Sequence, residues 1–258
     1  MKSWCLASSS SGNCIVVQFS NEQSNYKQTI MLEAGIPWPD MEKKAIMTKC
    51  DDFLDTTACL ITHGHTDHAK AIKQVMNAGI DVYASKATHK QYGTLEKGGK
   101  VISDGSTNCI APQLYVYSFK VQHDYEESLG FIISCKATGE NVLFINDCKY
   151  YTQDLSAFKF DYIFMECNYE DKYTYTIYNQ AVKEEDHIKI AQYKRVIDSH
   201  MALSTTKKSL AKLNLERTKA IFLMHLSDRN ANEYKMKSQV AEVTKKLVLV
   251  CQKNGGVK

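Results

Sequence analysis

The chain is 258 residues long, 44% apolar and 24% charged, with a formal net charge of +3. These values fit one packed domain over residues 1–258 and exclude a disordered or fibrous chain, and no apolar run is long enough to span a membrane. Nine cysteines, an odd number with no C-x-x-C pair, argue against a secreted disulfide framework; with no apolar signal segment after Met1-Lys2-Ser3-Trp4-Cys5, they read as reduced thiols of a cytoplasmic protein.

Strands are expected at Cys14–Phe19, Gln28–Glu33, Ala58–Thr62, Ile80–Ala84, Leu114–Val121, Leu129–Cys135, Asn141–Asn146, Asp161–Glu166, Arg195–Asp198 and Lys219–Met224, where β-branched and aromatic residues alternate or run together. Helices are expected at Asp40–Cys50, after Pro37 and Pro39, and at Thr66–Ala78, Lys86–Lys97, Val182–Lys194 and Thr205–Asn214. A long terminal helix is expected from Ala231 to Gln252. Hairpins dominate the first half and helices close both halves. The expected class is therefore α+β, with two β-sheets face to face and helices on the outside.

The most informative stretch is His63-Gly64-His65-Thr66-Asp67-His68, directly after the apolar run Ala58–Ile61. Imidazole and carboxylate groups are ligands for zinc, iron and manganese. Residues i and i+2 of an extended chain point the same way, so His63 and His65 can grip one ion. Asp67 and His68 lie where the chain turns into a helix and face a second point. Further candidates sit at strand ends: His123 after Leu114–Val121, Asp147 after Val142–Ile145, and His225 after Ile221–Met224. Cys148 follows one of them.

The order H-x-H-x-D-H, then His, Asp and His, resembles the metallo-β-lactamase fold. The resemblance implies an αβ/βα four-layer sandwich of two mixed sheets, with two divalent ions, zinc or manganese and also iron, at one edge. One ion would be held by His63, His65 and His123, the other by Asp67, His68 and His225, with Asp147 bridging both. Flanking segments are similar to the YycJ/WalJ branch, thought to be metal-dependent DNA exonucleases: Leu6–Cys14, Met165–Tyr169, Ser199–Ser204 and His225–Asn230. Two departures are visible. Glu33 stands where that family usually has Asp, and Met201-Ala202 is inserted between His200 and Leu203.

The implied chemistry is phosphodiester hydrolysis with a metal-bridging hydroxide as nucleophile, DNA as substrate and no membrane partner. Asp67 and Asp147 would be catalytic as ligands, and His200 is the candidate general acid or phosphate contact. The loop Ser8–Asn13, with Ser11 and Asn13, could offer amides to a phosphate or be a simple turn. Asn168, Ser227 and Asn230 could contact substrate or orient ligands, as could Glu33 and Glu166. Tyr169, Tyr173, Tyr175 and Tyr178 read as a hairpin packing face or a base-stacking platform. Lys194, Arg195, Lys207, Lys208, Lys212, Arg217 and Lys219 read as a backbone-binding stripe or a solvated surface. Competing functions are a cyclic-nucleotide or cyclic phosphate ester phosphodiesterase, a glyoxalase II-like thioesterase or lactonase, and a non-catalytic metal-binding protein.

Overall fold

In the computed structural model, which describes residues 1–258, two sheets stack face to face. The first contains, in spatial order, β1 (Lys2–Ala7), β2 (Cys14–Asn21), β3 (Tyr26–Leu32), β4 (Thr56–Leu60), β5 (Asp81–Ala84) and β6 (Lys100–Val101). Its opening hairpins are antiparallel, and β3 to β6 run parallel. The second sheet runs β11 (Tyr150–Tyr151), β8 (Leu114–Gln122), β9 (Leu129–Cys135), β10 (Glu140–Ile145), β12 (Tyr162–Glu166), β13 (Ala220–Met224), β14 (Leu247–Val250), with β7 (Thr107–Ala111) paired to β8. Here β10, β12, β13 and β14 are parallel. Two antiparallel steps separate β8 from β10, so these two strands point the same way.

Alternation along each strand makes the layers. Ile15, Val17 and Phe19 of β2 face Phe131, Phe144, Phe164 and Phe222 in the core between the sheets. The intervening Val16, Met31 and Cys59 meet α1 (Trp38–Met47) and α3 (Ile72–Asn77), with α2 (Thr66–Ala69) beside them. On the far side, Leu143, Ile163, Met165, Ile221 and Leu223 pack against α7 (Leu203–Ala211) and α8 (Glu233–Thr244). Central strands buried on both faces read as continuous apolar runs. The expected architecture of two mixed sheets with outer helices is the one observed.

Five expectations are corrected. Arg195–Asp198 is not a strand but the last turn of α6 (His187–Ser199), which the Asp186 side chain caps by accepting from Lys189 N. The expected helix at Val182–Lys194 spans the end of α5 (Asp171–Lys183), a break, and most of α6. The terminal helix stops after Thr244, where Lys245 takes φ 55°; Leu247–Val250 then forms β14, because its Val-rich run pairs with β13. Thr66–Ala78 is two short helices, α2 and α3. The edge strands β1 and β7 were not expected. The 86–97 helix ends at Tyr92 as α4 (Lys86–Tyr92), where Gly93 turns left-handed at φ 62°.

The phenyl rings of Phe164 and Phe222 stack at 4.3 Å in the inter-sheet core, and Phe164 is 1% exposed. Phe164→Ala should lower unfolding free energy by about 3–5 kcal/mol in urea titration. A loss below about 1 kcal/mol would contradict this account of the core.

Candidate metal centre

The parallel strand direction gathers the site. Glu33 follows β3, His63 to His68 follow β4, His123 follows β8, Asp147 follows β10, Glu166 ends β12 and His225 follows β13. All are carboxyl ends of strands that point the same way, so their loops share one edge. Glu33, Asp147 and His225 adopt left-handed φ values of 68°, 45° and 54°. Each turn swings a side chain inward, at a cost of about 1–3 kcal/mol that the surrounding packing must hold.

Two groups of ligand atoms converge. In the first, His63 Nε2 and His123 Nε2 lie 2.9 and 3.2 Å from His65 Nδ1. In the second, Asp67, His68, Asp147 and His225 each offer one atom within 4.8 Å of the others. Asp147 Oδ2 is 3.3 Å from His68 Nε2 and 3.7 Å from His123 Nε2, so it stands between the groups. A third overlapping group contains Asp147, Glu166, His200 and His225. The seven ligand candidates named from the sequence thus lie together, and Cys148 is not among them. Its thiol is buried, and its backbone N–H donates to Glu166 Oε2 at 2.6 Å.

Each sheet contributes a buried carboxylate that braces these side chains. Glu33 accepts from Thr62 Oγ1 at 2.6 Å and from Thr62 N at 3.2 Å, and lies 3.2 Å from His68 Nδ1. Thr62 Oγ1 in turn sits 2.9 Å from His63 Nδ1. Glu166 faces His200 Nδ1 at 2.7 Å and His225 Nδ1 at 3.3 Å, and accepts from Met201 N. His123 Nδ1 lies 2.8 Å from the Ser199 carbonyl. With Nδ1 engaged, the Nε2 atoms of His63 and His123 are left for a metal, whereas His68 Nδ1 lies beside Glu33 without a hydrogen bond.

Burial pushes the His63 imidazole down, and neighbouring histidines add to this; His65 is lowered by burial and His123. Burial also opposes protonation of His68 and His225, but adjacent carboxylates outweigh it. Asp147 and Glu33 raise His68 well above the usual range, and Asp147 and Asp67 raise His225 to about 10. Burial raises Asp147, while His225 and His68 outweigh it and hold the carboxyl low. Buried carboxylates need positive partners. Asp147 Oδ1 and His225 Nε2 have no hydrogen-bond partner although both are enclosed. Orphaned donor atoms, mixed N/O chemistry and excess negative charge fit divalent metal ions.

The other sequence candidates fall elsewhere. The serine loop acts as a brace, with four of its amides spent inside the protein. Ser9 N donates to Asn13 Oδ1, Ser11 N to Ser9 Oγ, Gly12 N to Ser9 O and Asn13 N to Asp67 O. Asn13 Nδ2 also reaches Asp67 O, and Ser8 Oγ accepts from His225 N. Ser11 is exposed and outside the cavity lining; Ser10 lines it instead. Asn168 is buried behind the site, with Nδ2 donating to His225 O at 2.8 Å. Ser227 Oγ accepts from Asn230 N, and neither residue lines the cavity.

Tyr173, Tyr175 and Tyr178 are on helix α5, so they form no hairpin face, and Tyr169 is buried. The basic stripe is split. Arg217 and Lys219 lie at the opposite end of β13, paired with Asp161 and Glu140, and Lys207 Nζ donates to Gln239. The Met201-Ala202 insertion forms a bridge between Ala202 and Tyr169, and His200 still meets Glu166. Sequence reasoning missed Asp124, whose Oδ1 lies 2.9 Å from His123 Nε2, and Gln91 and Tyr125. Only the adjacency of Asp124 to His123 could have signalled it.

The sequence profile of the β-lactamase superfamily domain matches residues 37–226. The chain belongs to the β-lactamase superfamily. No curated protein matches it in sequence. Solved structures share the fold at low identity. Zn2+-bound PqqB from Methylobacterium extorquens has 15% identity and a TM-score of 0.68 over 100% of this chain and 99% of its own. The metallo-β-lactamase fold protein YhfI from Bacillus subtilis has 13% and 0.67 over 99% and 98%. Human tRNase Z, short form, has 14% and 0.66 over 100% and 98%. Family, fold and ligand cluster together make the protein a metal-dependent hydrolase.

Gly64 carries the H-x-H turn. Its carbonyl accepts from Gln91 Nε2 at 2.7 Å and Tyr92 Oη at 3.1 Å, and Tyr125 Oη donates to Gln91 Oε1 at 2.8 Å. A Cβ on Gly64 would run into the Tyr125 hydroxyl and Gln91. Gly64→Ala should therefore weaken Zn2+ binding by about tenfold or more in chelator competition. Unchanged affinity would show that this network does not set the ligand positions.

Proposed function

We propose that the protein is a dinuclear phosphodiester hydrolase, most closely a DNA exonuclease of the YycJ/WalJ kind, working in the cytoplasm. The observation that carries this reading is the cavity over the ligand cluster. It has a volume of about 600 Å³, and Val196 is its one apolar lining side chain. His65, Asp67, His123, Asp147, His200 and His225 open into it, with Arg195 and Gln192 of α6 as one wall. A polar cleft with a cation on its wall suits a phosphate backbone. A thioesterase or lactonase would need an apolar slot for its acyl group, and a cyclic-nucleotide enzyme a closed pocket to grip a base. Human tRNase Z, one of the structural neighbours, is a nuclease by name, which adds support. The two sheets share one core, which supports residues 1–258 as a single domain. Eight of nine free cysteines are buried, which fits a reducing compartment.

His63, His65 and His123 would hold one ion and Asp67, His68 and His225 the other, with Asp147 shared. Zinc or manganese suits this donor set, and iron is admitted by it. When bound, two divalent ions supply Lewis acidity at the phosphoryl oxygens and lower the pKa of water to about 7. The chain's own contribution is positional. Glu33 fixes His63 and His68 from one sheet, and Glu166 fixes His225 and His200 from the other. With Nδ1 turned to Glu166, His200 keeps Nε2 for the cavity, where it holds a proton for the leaving alkoxide. Glu166 is itself held by Cys148 N and Met201 N, so the imidazole cannot swing freely.

The test is end-labelled DNA, single-stranded RNA, cyclic nucleotides and a thioester, offered to protein loaded with Mn2+ or Zn2+. Stepwise release of mononucleotides from DNA is expected. Turnover of cyclic nucleotides or of the thioester alone would overturn the reading. Asp147→Ala should abolish activity and reduce bound metal by elemental analysis. His200→Ala should lower kcat roughly 10²–10⁴-fold with metal content intact.

A further inference from the structure

We propose that Arg195 reads a second phosphate of the substrate, one nucleotide away from the scissile one, and that Asp124 keeps the arginine poised for it. This rests on the nuclease reading above and adds a specificity residue to it. Arg195 supplies the one permanently cationic side chain lining the cavity. It sits near the end of α6, one turn before Ser199, whose carbonyl faces His123 Nδ1 at 2.8 Å. Its Nε donates to Asp124 Oδ2 at 3.2 Å, while Asp124 Oδ1 lies 2.9 Å from His123 Nε2 and 3.8 Å from His65 Nε2. The guanidinium is therefore one carboxylate removed from the first ligand group. On this proposal it would stand beside the reacting phosphate.

The pair is built for exchange. The Arg195 side chain is 69% exposed and that of Asp124 36%, so the ion pair contributes little to stability. Only Nε is engaged, leaving the terminal N–H groups of the fork free. Carboxylate and phosphate present the same bidentate acceptor geometry to a guanidinium. A neighbouring phosphate can thus take the arginine from Asp124 without rebuilding the wall. Two other basic groups are committed elsewhere: Lys149 pairs with Asp198, and Lys120 lines a separate hollow. The same face of α6 continues outward through Gln192 to Ile188, which is 82% exposed, so the wall extends beyond the cavity mouth.

The test uses three thymidine dinucleotides with metal-loaded protein: one with only the internucleotide phosphodiester, one with an added 5′-phosphate, and one with an added 3′-phosphate. Wild type should cleave at least one of the two bisphosphorylated compounds roughly 10- to 100-fold faster in kcat/KM than the unphosphorylated one. The compound preferred reports on which side Arg195 lies. Arg195→Ala should erase that preference, and Arg195→Lys, a point charge without the fork, should restore part of it. If wild type shows no preference, or Arg195→Ala keeps it, the inference fails while the nuclease reading stands. If Arg195→Ala slows all three equally and lowers Tm, the arginine merely ties α6 to the loop, and the inference again fails. If wild type cleaves none of the three, the nuclease reading falls and this inference falls with it.

Discussion

Excess negative charge enclosed at one edge of the sandwich is the constraint on which the rest of the structure depends. Glu33 and Glu166 are fully buried, Asp147 is 2% exposed, and Asp67 stands beside them. Carboxylates at such depth are costly unless paired with cations. Without a metal, protonated imidazoles must meet that demand, and His68 and His225 are raised accordingly. Cations of higher charge meet it better and also engage the donor atoms left orphaned on Asp147 and His225. The backbone accepts strain at Glu33, Asp147 and His225 to keep this arrangement. Local cost at three strand ends is the physical signature of a site selected for chemistry over stability.

The two sheets divide the labour symmetrically. The first sheet delivers the H-x-H-x-D-H segment and braces it with Glu33 through Thr62. The second delivers His123, Asp147 and His225 and braces them with Glu166, the Ser199 carbonyl and Asn168. The opening loop stitches the halves together, since Asn13 holds the backbone of Asp67 while Ser8 holds that of His225. Helix α6 then closes one side. It carries little buried surface of its own, which frees its sequence to face substrate.

Legibility in the sequence varied with the range of the interaction. The ligand candidates could be read because each is local: an i, i+2 pair, or a histidine or aspartate directly after an apolar strand. The central strands could be read because both faces are buried and the apolar run is unbroken. The stretch Arg195–Asp198 was misread because Val196 and Ile197 favour strands locally; the cap at Asp186 and the amphipathic continuation decide for helix. Leu247–Val250 was misread in the opposite sense, since its pairing partner β13 is more than twenty residues away in sequence.

The roles of Glu33, Glu166, Asn13 and Asn168 depended on long-range packing. In sequence each is an ordinary polar residue near a strand end, and only the side-by-side placement of segments distant in the chain sets it against an imidazole. The same holds for Asp124 and Arg195, which meet across the cleft although far apart in the chain. Sequence by itself determined the layered class and which residues could bind metal, because periodicity and ligand chemistry are properties of short segments. Tertiary structure decided which polar groups are free to face a substrate and which are spent on bracing, because that depends on hydrogen bonds between segments that only the folded chain brings together.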